Sequence, residues 1–120
     1  MKVYLAGPMR GYPEYNFPRF REAAAQLREM GYDVLSPAEL DEELDGFDGT
    51  TEWQGTIKEA MKRDLPSVLS CDAVVLLEGW QNSQGAKLEA HVAKVVGMPI
   101  GDIDNVLRGT TFITEGSPLV

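Results

Sequence analysis

Residues 72–77, DAVVLL, form an apolar run of strand length without polar alternation, which reads as a strand covered on both faces. A strand of that kind needs helices above and below it, and the rest of the chain supplies them. Residues 2–6, KVYLA, are a second apolar run, ended by the loop GPMRG. Asn16 then reads as the cap of a helix with Pro18 in its first turn. Phe17, Phe20, Ala24, Leu27 and Met30 recur there at helical spacing until Gly31 ends it. YDVLSP is a further strand closed by Pro37, and a second helix runs from about Glu52 to Ser70, kinked or broken near Pro66. After DAVVLL come the exit loop EGWQNSQG, a helix containing Glu89, and MPI at the start of a short fourth strand. Strands that alternate with helices predict a parallel sheet covered on both faces. Ligands of such sheets bind beyond the carboxyl ends of the strands near the topological switch point, so GPMRG and EGWQNSQG are the loops that matter.

The 120 residues are read as one domain, 1–120, with no internal repeat; 43% hydrophobic and 25% charged residues fit a globular chain with a real core. Nineteen acids against eleven Lys and Arg give a net charge of −8, which argues against a broad basic surface for long nucleic acid. A small phosphorylated ligand needs only one or two local cations and stays open. Cys71 is the single cysteine, so no intrachain disulfide can form; a reducing, cytoplasmic location is expected, with Cys71 a small buried residue ahead of a strand. No apolar stretch has the length of a signal peptide or a membrane span, so no membrane partner is expected. The acidic segment from Ala38 to Glu52 reads as a solvated loop or lid, and the tail from Gly101 is the least legible part.

Two acids break the pattern. On the helix after Gly85, Ala86, Ala90, Val92, Ala93, Val95 and Val96 gather on one side and Lys87, His91 and Lys94 on the other, and Glu89 falls in the middle of the apolar side. On the preceding helix Trp53, Ile57, Ala60, Met61 and Val68 share a face, with Asp64 at its centre. A buried unpaired carboxylate is costly, so each needs a partner or a task. The helices flank DAVVLL, and two acids converging at its carboxyl end would suit glycosidic chemistry, with one as nucleophile. The structural alternative is a loop cap or a pair with Arg10, Arg63 or Arg108, and pattern alone leaves both open.

Other polar residues carry less. His91 lies on the charged face and reads as solvated; no Cys/His cluster offers a zinc site, and the acidic loop lacks calcium-loop spacing. Trp80 could stack on a planar ring or plug the sheet edge. Arg10, between glycines after the first strand, reads as a phosphate clamp or as an ordinary surface arginine. Ser83 can cap the Glu89 helix or offer its hydroxyl to a ligand at a helix N-terminus.

Taken in order, VYLAGPMRG, RDLPSVLSCDAVVLL and NSQGAKLEA resemble the nucleoside 2-deoxyribosyltransferase superfamily over roughly residues 2–100, and especially its deoxynucleoside 5′-monophosphate N-glycosidase branch and related small bacterial and phage proteins. The resemblance implies a flavodoxin-like, Rossmann-like three-layer sandwich around a parallel sheet of four or five strands. It implies Glu89 as the nucleophile on the anomeric carbon, Asp64 holding the sugar or assisting the base, and Tyr4 beside the nucleophile. Substrate contacts would come from Gly7, Met9, Arg10 and Gly11 in the first loop and from Trp80, Ser83 and Gly85 in the second. Ser83 and Arg10 favour a 5′-nucleotide over a nucleoside, whereas Pro8 departs from the small hydroxyl residue of the nucleotide branch. No metal or redox cofactor is implied, and a homo-oligomer is expected, with the tail GTTFITEGSPLV as an arm or partial strand. The competing reading is a nucleotide-binding module without turnover. Lysine-decarboxylase-like phosphoribohydrolases share the glutamate four residues after a glycine but have a doubled glycine that is missing here.

Overall fold

The computed structural model describes residues 1–46, 49 and 55–109. Four strands, β1 (Lys2–Ala6), β2 (Asp33–Leu35), β3 (Ala73–Leu76) and β4 (Ile100–Asp102), form one sheet in the order β2-β1-β3-β4. All three pairings are parallel; Tyr4 lies opposite Leu35 on one side and Val74 on the other. This is the flavodoxin-like order, in which the chain reverses direction across the sheet between β1 and β3.

Alternation along the central strands sorts the side chains into two layers. Val3 and Leu5 of β1 and Ala73 and Val75 of β3 point to one face. There they pack against Phe17, Phe20, Ala24 and Leu27 of α1 (Phe17–Glu29). Tyr4, Ala6, Val74 and Leu76 point to the other face, against Val68 of α3 (Ile57–Leu69) and Ala86, Ala90 and Ala93 of α4 (Gln84–Val95). Tyr4 therefore belongs to the same layer as Asp64 of α3 and Glu89 of α4, which places the phenol under the two acidic helices. Cys71 is buried in that layer, as its position before β3 suggested.

Several local expectations change. Asn16 stands at the start of α1, but its backbone is left-handed (φ 63) and its amide donates to the Pro8 carbonyl at 2.9 Å instead of capping the helix. Met30 is the C-terminal cap of α1 and is exposed, and Gly31 (φ 95) then turns the chain. Pro37 opens the short helix α2 (Pro37–Leu40), continued by a wide turn over Asp41–Asp45, so the first part of the acidic segment is helical rather than loop. Helix α3 begins after Thr56, whose hydroxyl accepts from the Glu59 N–H, and runs unbroken through Pro66. Pro66 faces solvent one turn before the helix ends, where water can serve the carbonyl that the missing N–H leaves behind. After β4 the chain forms α5 (Ile103–Leu107), which the sequence pattern did not predict; Ile103 and Val106 are buried against the α1 side of the sheet. Trp53, most of the rest of the acidic segment and the tail beyond Gly109 lie outside the described residues.

Candidate active site

The cavity that matters lies beyond the carboxyl end of β1, between α3 and the start of α4, with a volume of about 260 Å³. Its floor is made where β1 runs into Gly7. A Cβ at Gly7 would lie 2.8 Å from Cβ of Leu77, so only glycine lets the two strand exits come this close. Helix α4 starts at the cavity because Ser83 caps it: the hydroxyl accepts from the Ala86 N–H at 3.1 Å. Ser83, Gln84 and Gly85 line the wall, which directs the positive end of the helix dipole into the space.

Glu89 stands one turn further along α4 and is 4% exposed. Its Oε2 accepts the hydroxyl proton of Tyr4 at 2.6 Å, and Tyr4 is fully buried. Burial is the main force on both groups. It pushes the Glu89 carboxyl up to about 8, with the charge of Asp64 adding to the rise and the Tyr4 hydrogen bond and the Arg63 charge opposing it. Burial likewise raises the Tyr4 phenol, helped by the charges of Glu89 and Asp64. Burial thus favours the protonated form of both groups.

Asp64, 5% exposed, reaches the same cavity from α3. Neighbouring Arg63 donates from Nε to Asp64 Oδ1 at 2.9 Å and pairs through Nη2 with Asp41 Oδ1 at 2.6 Å. Burial works against the Arg63 charge, but the hydrogen bond to Asp64 and the charges of Asp64 and Asp41 outweigh it, leaving the guanidinium more basic than usual. Asp41, on the turn after α2, is itself buried and lines the cavity.

The cavity gathers Glu89, Asp64, Gly7, Met9, Arg10, Ser83 and Gly85 in its lining, with Tyr4 behind Glu89. Arg10 is exposed at the rim and donates to the Gly55 carbonyl at 2.8 Å. Gly11 (φ 84) is a turn residue outside the lining. Trp80 is also outside it. A left-handed Gly79 (φ 82) leads into the turn Trp80–Asn82, and Trp80 packs against the core layer that holds Tyr4 and lines a separate cavity at the ends of β3 and β4. On the charged side of α4, His91 is exposed.

Asp41 and Tyr15 are lining residues that the sequence pattern did not single out for the site, whereas Arg63, named from the sequence as one structural partner for a buried acid, does pair with Asp64. Tyr15 sits in a left-handed turn in which Glu14, Tyr15 and Asn16 all have positive φ (51, 52 and 63). Such a turn costs about 1–2 kcal/mol per residue. The Asn16 amide on Pro8 and the Tyr15 N–H on the Tyr12 carbonyl at 3.0 Å help to hold it. No pattern in PEYN announces it.

Among solved structures the chain is similar to the 2-deoxyribosyltransferase of the psychrotolerant bacterium Bacillus psychrosaccharolyticus, with a TM-score of 0.62 and 22% identity over 85% of this chain and 71% of that one. That likeness is one of fold. No curated protein sequence matches. Residues 1–102 match the family described as a domain of unknown function, DUF4406, and the chain belongs to that family.

Proposed function

We propose that the protein cleaves or exchanges the N-glycosidic bond of a (deoxy)nucleoside 5′-monophosphate through a covalent glycosyl intermediate on Glu89. The observation that carries this reading is the buried Tyr4–Glu89 pair in one cavity with Asp64. A fold shared with a 2-deoxyribosyltransferase makes the same chemistry reasonable.

The proton balance of the site suits the reaction. The Glu89 carboxyl carries a proton near neutral pH because it is desolvated. As a Glu89 oxygen bonds the anomeric carbon, the bond to the base nitrogen breaks and its electron pair leaves with the base. The Glu89 proton passes by way of Asp64 to that base, so no proton is taken from solvent. Tyr4 keeps its hydrogen bond to the other carboxyl oxygen and holds the attacking one in line. In the second half, water bonds the anomeric carbon, the ester bond breaks, and Glu89 takes a proton back from the water. A second base in place of water gives transfer instead of hydrolysis.

In this reading the phosphate binds where Arg10 and the start of α4 both contribute to the lining and Ser83 still has a hydroxyl proton to give. A neighbouring copy of the chain completes the cavity wall in this reading. Incubating wild type and Glu89→Ala with a panel of nucleoside monophosphates and following base release tests the activity. Base release by wild type and none by the variant is expected. A wild type that binds a monophosphate by calorimetry and releases no base from any of them leaves the non-catalytic binding module as the function.

A further inference from the structure

We propose that Arg63 is a positioning residue whose guanidinium, braced by Asp41, holds the Asp64 carboxylate in its working orientation beside Glu89. The inference rests on the glycosidic reading for its kinetic part. Adjacent residues on a helix point in directions too far apart to face each other, so an Arg–Asp pair at i, i+1 is not an ordinary helix ion pair. Arg63 has to fold back along α3 to reach Asp64, and a flexible side chain does that only if something holds its far end. Asp41 supplies the hold from a different element, the turn after α2. One rigid planar group therefore bonds two carboxylates that are 6% and 5% exposed, at 2.6 and 2.9 Å. By contrast, Arg19–Glu78 and Arg28–Glu39 are surface pairs with carboxylates 55% and 34% exposed, where solvent competes. With Nε on one oxygen of Asp64, rotation of that carboxylate is restricted, and Asp64 meets substrate with a defined edge. The same arrangement ties the segment after β2 to the reacting centre.

The groups facing Glu89 are Tyr4 from β1 and Asp64 and Arg63 from α3, while β3 presents the apolar Val74 and Leu76. Arg63 draws the Glu89 carboxyl downward, so its loss moves that titration upward.

The test uses Arg63→Met, Arg63→Lys and Asp41→Asn in the full chain. Arg63→Met is expected to lower kcat for base release about 100-fold with KM changed less than about threefold, the signature of a misplaced reacting group. Asp41→Asn loses about tenfold in kcat on its own and little further in the Arg63→Met background, because its bond to Arg63 is then already gone. Arg63→Lys keeps the charge without the fork and recovers only part of the rate. In parallel, carboxyl ¹³C NMR follows the Glu89 titration, which rises in Arg63→Met and stays in place in Arg63→Lys. Additive kinetic losses or a pure KM effect overturns the clamp. If wild type releases no base, the Asp64 carboxyl ¹³C signal decides the clamp separately from the glycosidic reading: it shifts in Arg63→Met and in Asp41→Asn if the guanidinium holds that carboxylate, and an unchanged signal in both overturns it. If Arg63→Met does not fold, Arg63→Lys and Asp41→Asn decide: a full wild-type rate in both, or, where there is no activity, an Asp64 ¹³C signal unchanged in both, overturns it.

Discussion

Replacing Glu89 by glutamine should make the protein more stable at neutral pH, and the gain should grow as pH rises. The carboxyl titrates near 4.5 when solvated and at about 8 in the fold. Between these values the folded state holds a proton that the unfolded state has released. By linkage, stability then falls as pH rises, with a slope that approaches about 1.4 kcal/mol per pH unit inside the window and vanishes outside it. Across the whole window the loss is on the order of 5 kcal/mol, of which about 3 has accrued by pH 7. Glutamine occupies nearly the same volume, keeps an oxygen to accept the Tyr4 hydroxyl at the 2.6 Å site, and cannot ionise. Its extra N–H group needs a partner in a nearly closed space, which takes back about 1–3 kcal/mol at every pH. The difference between variant and wild type should therefore increase by several kcal/mol from pH 5 to pH 8, whatever its offset. Urea denaturation at half-unit steps of pH reads it directly. Parallel pH profiles for the two proteins would mean that Glu89 titrates normally, and that the desolvated carboxyl on which the proton balance depends does not exist.

Three further outcomes rest on particular residues. Arg10→Ala should weaken binding of a nucleoside monophosphate by about 1.5–3 kcal/mol in calorimetry and leave the matching nucleoside nearly unchanged; equal losses for both would make the Arg10 contact with Gly55 purely structural. Gly7→Ala should destabilise the fold by about 1–3 kcal/mol, since the new Cβ would lie 2.8 Å from Cβ of Leu77 and neither strand exit can yield easily. A thermal midpoint equal to wild type would mean the two exits are looser than that distance implies. Sedimentation at micromolar concentration should give a dimer or larger assembly; a fully active monomer would mean that one chain closes the cavity.

Much of this arrangement was legible because burial leaves a period in the sequence. Phe17, Phe20, Ala24 and Leu27 lie under α1 as their spacing required, and the unbroken run before Glu78 became the central strand β3. Glu89 and Asp64 stood out because a carboxylate at an apolar position is anomalous against its neighbours. Asp41 could not stand out in the same way, lying among Glu39, Glu42, Glu43 and Asp45, and its burial and its contact with Arg63 appear only in the fold. Helix α5 is five residues long, too short for a period to register, although Ile103 and Val106 carry one repeat of it. The roles of Asn16 and Trp80 turned on backbone angles, since left-handed φ at Asn16 and Gly79 redirects the chain at each point. Side-chain type alone does not encode that turn.

The covalent intermediate is the claim on which the mechanism depends most. Rapid acid quench of the protein with a monophosphate it cleaves, followed by intact mass and peptide mapping, measures it. A mass increase equal to the pentose phosphate, confined to the peptide bearing Glu89 and absent from Glu89→Ala, is the predicted result. Base released at the wild-type rate by Glu89→Ala, or released by wild type with no adduct at any quench time, would contradict it.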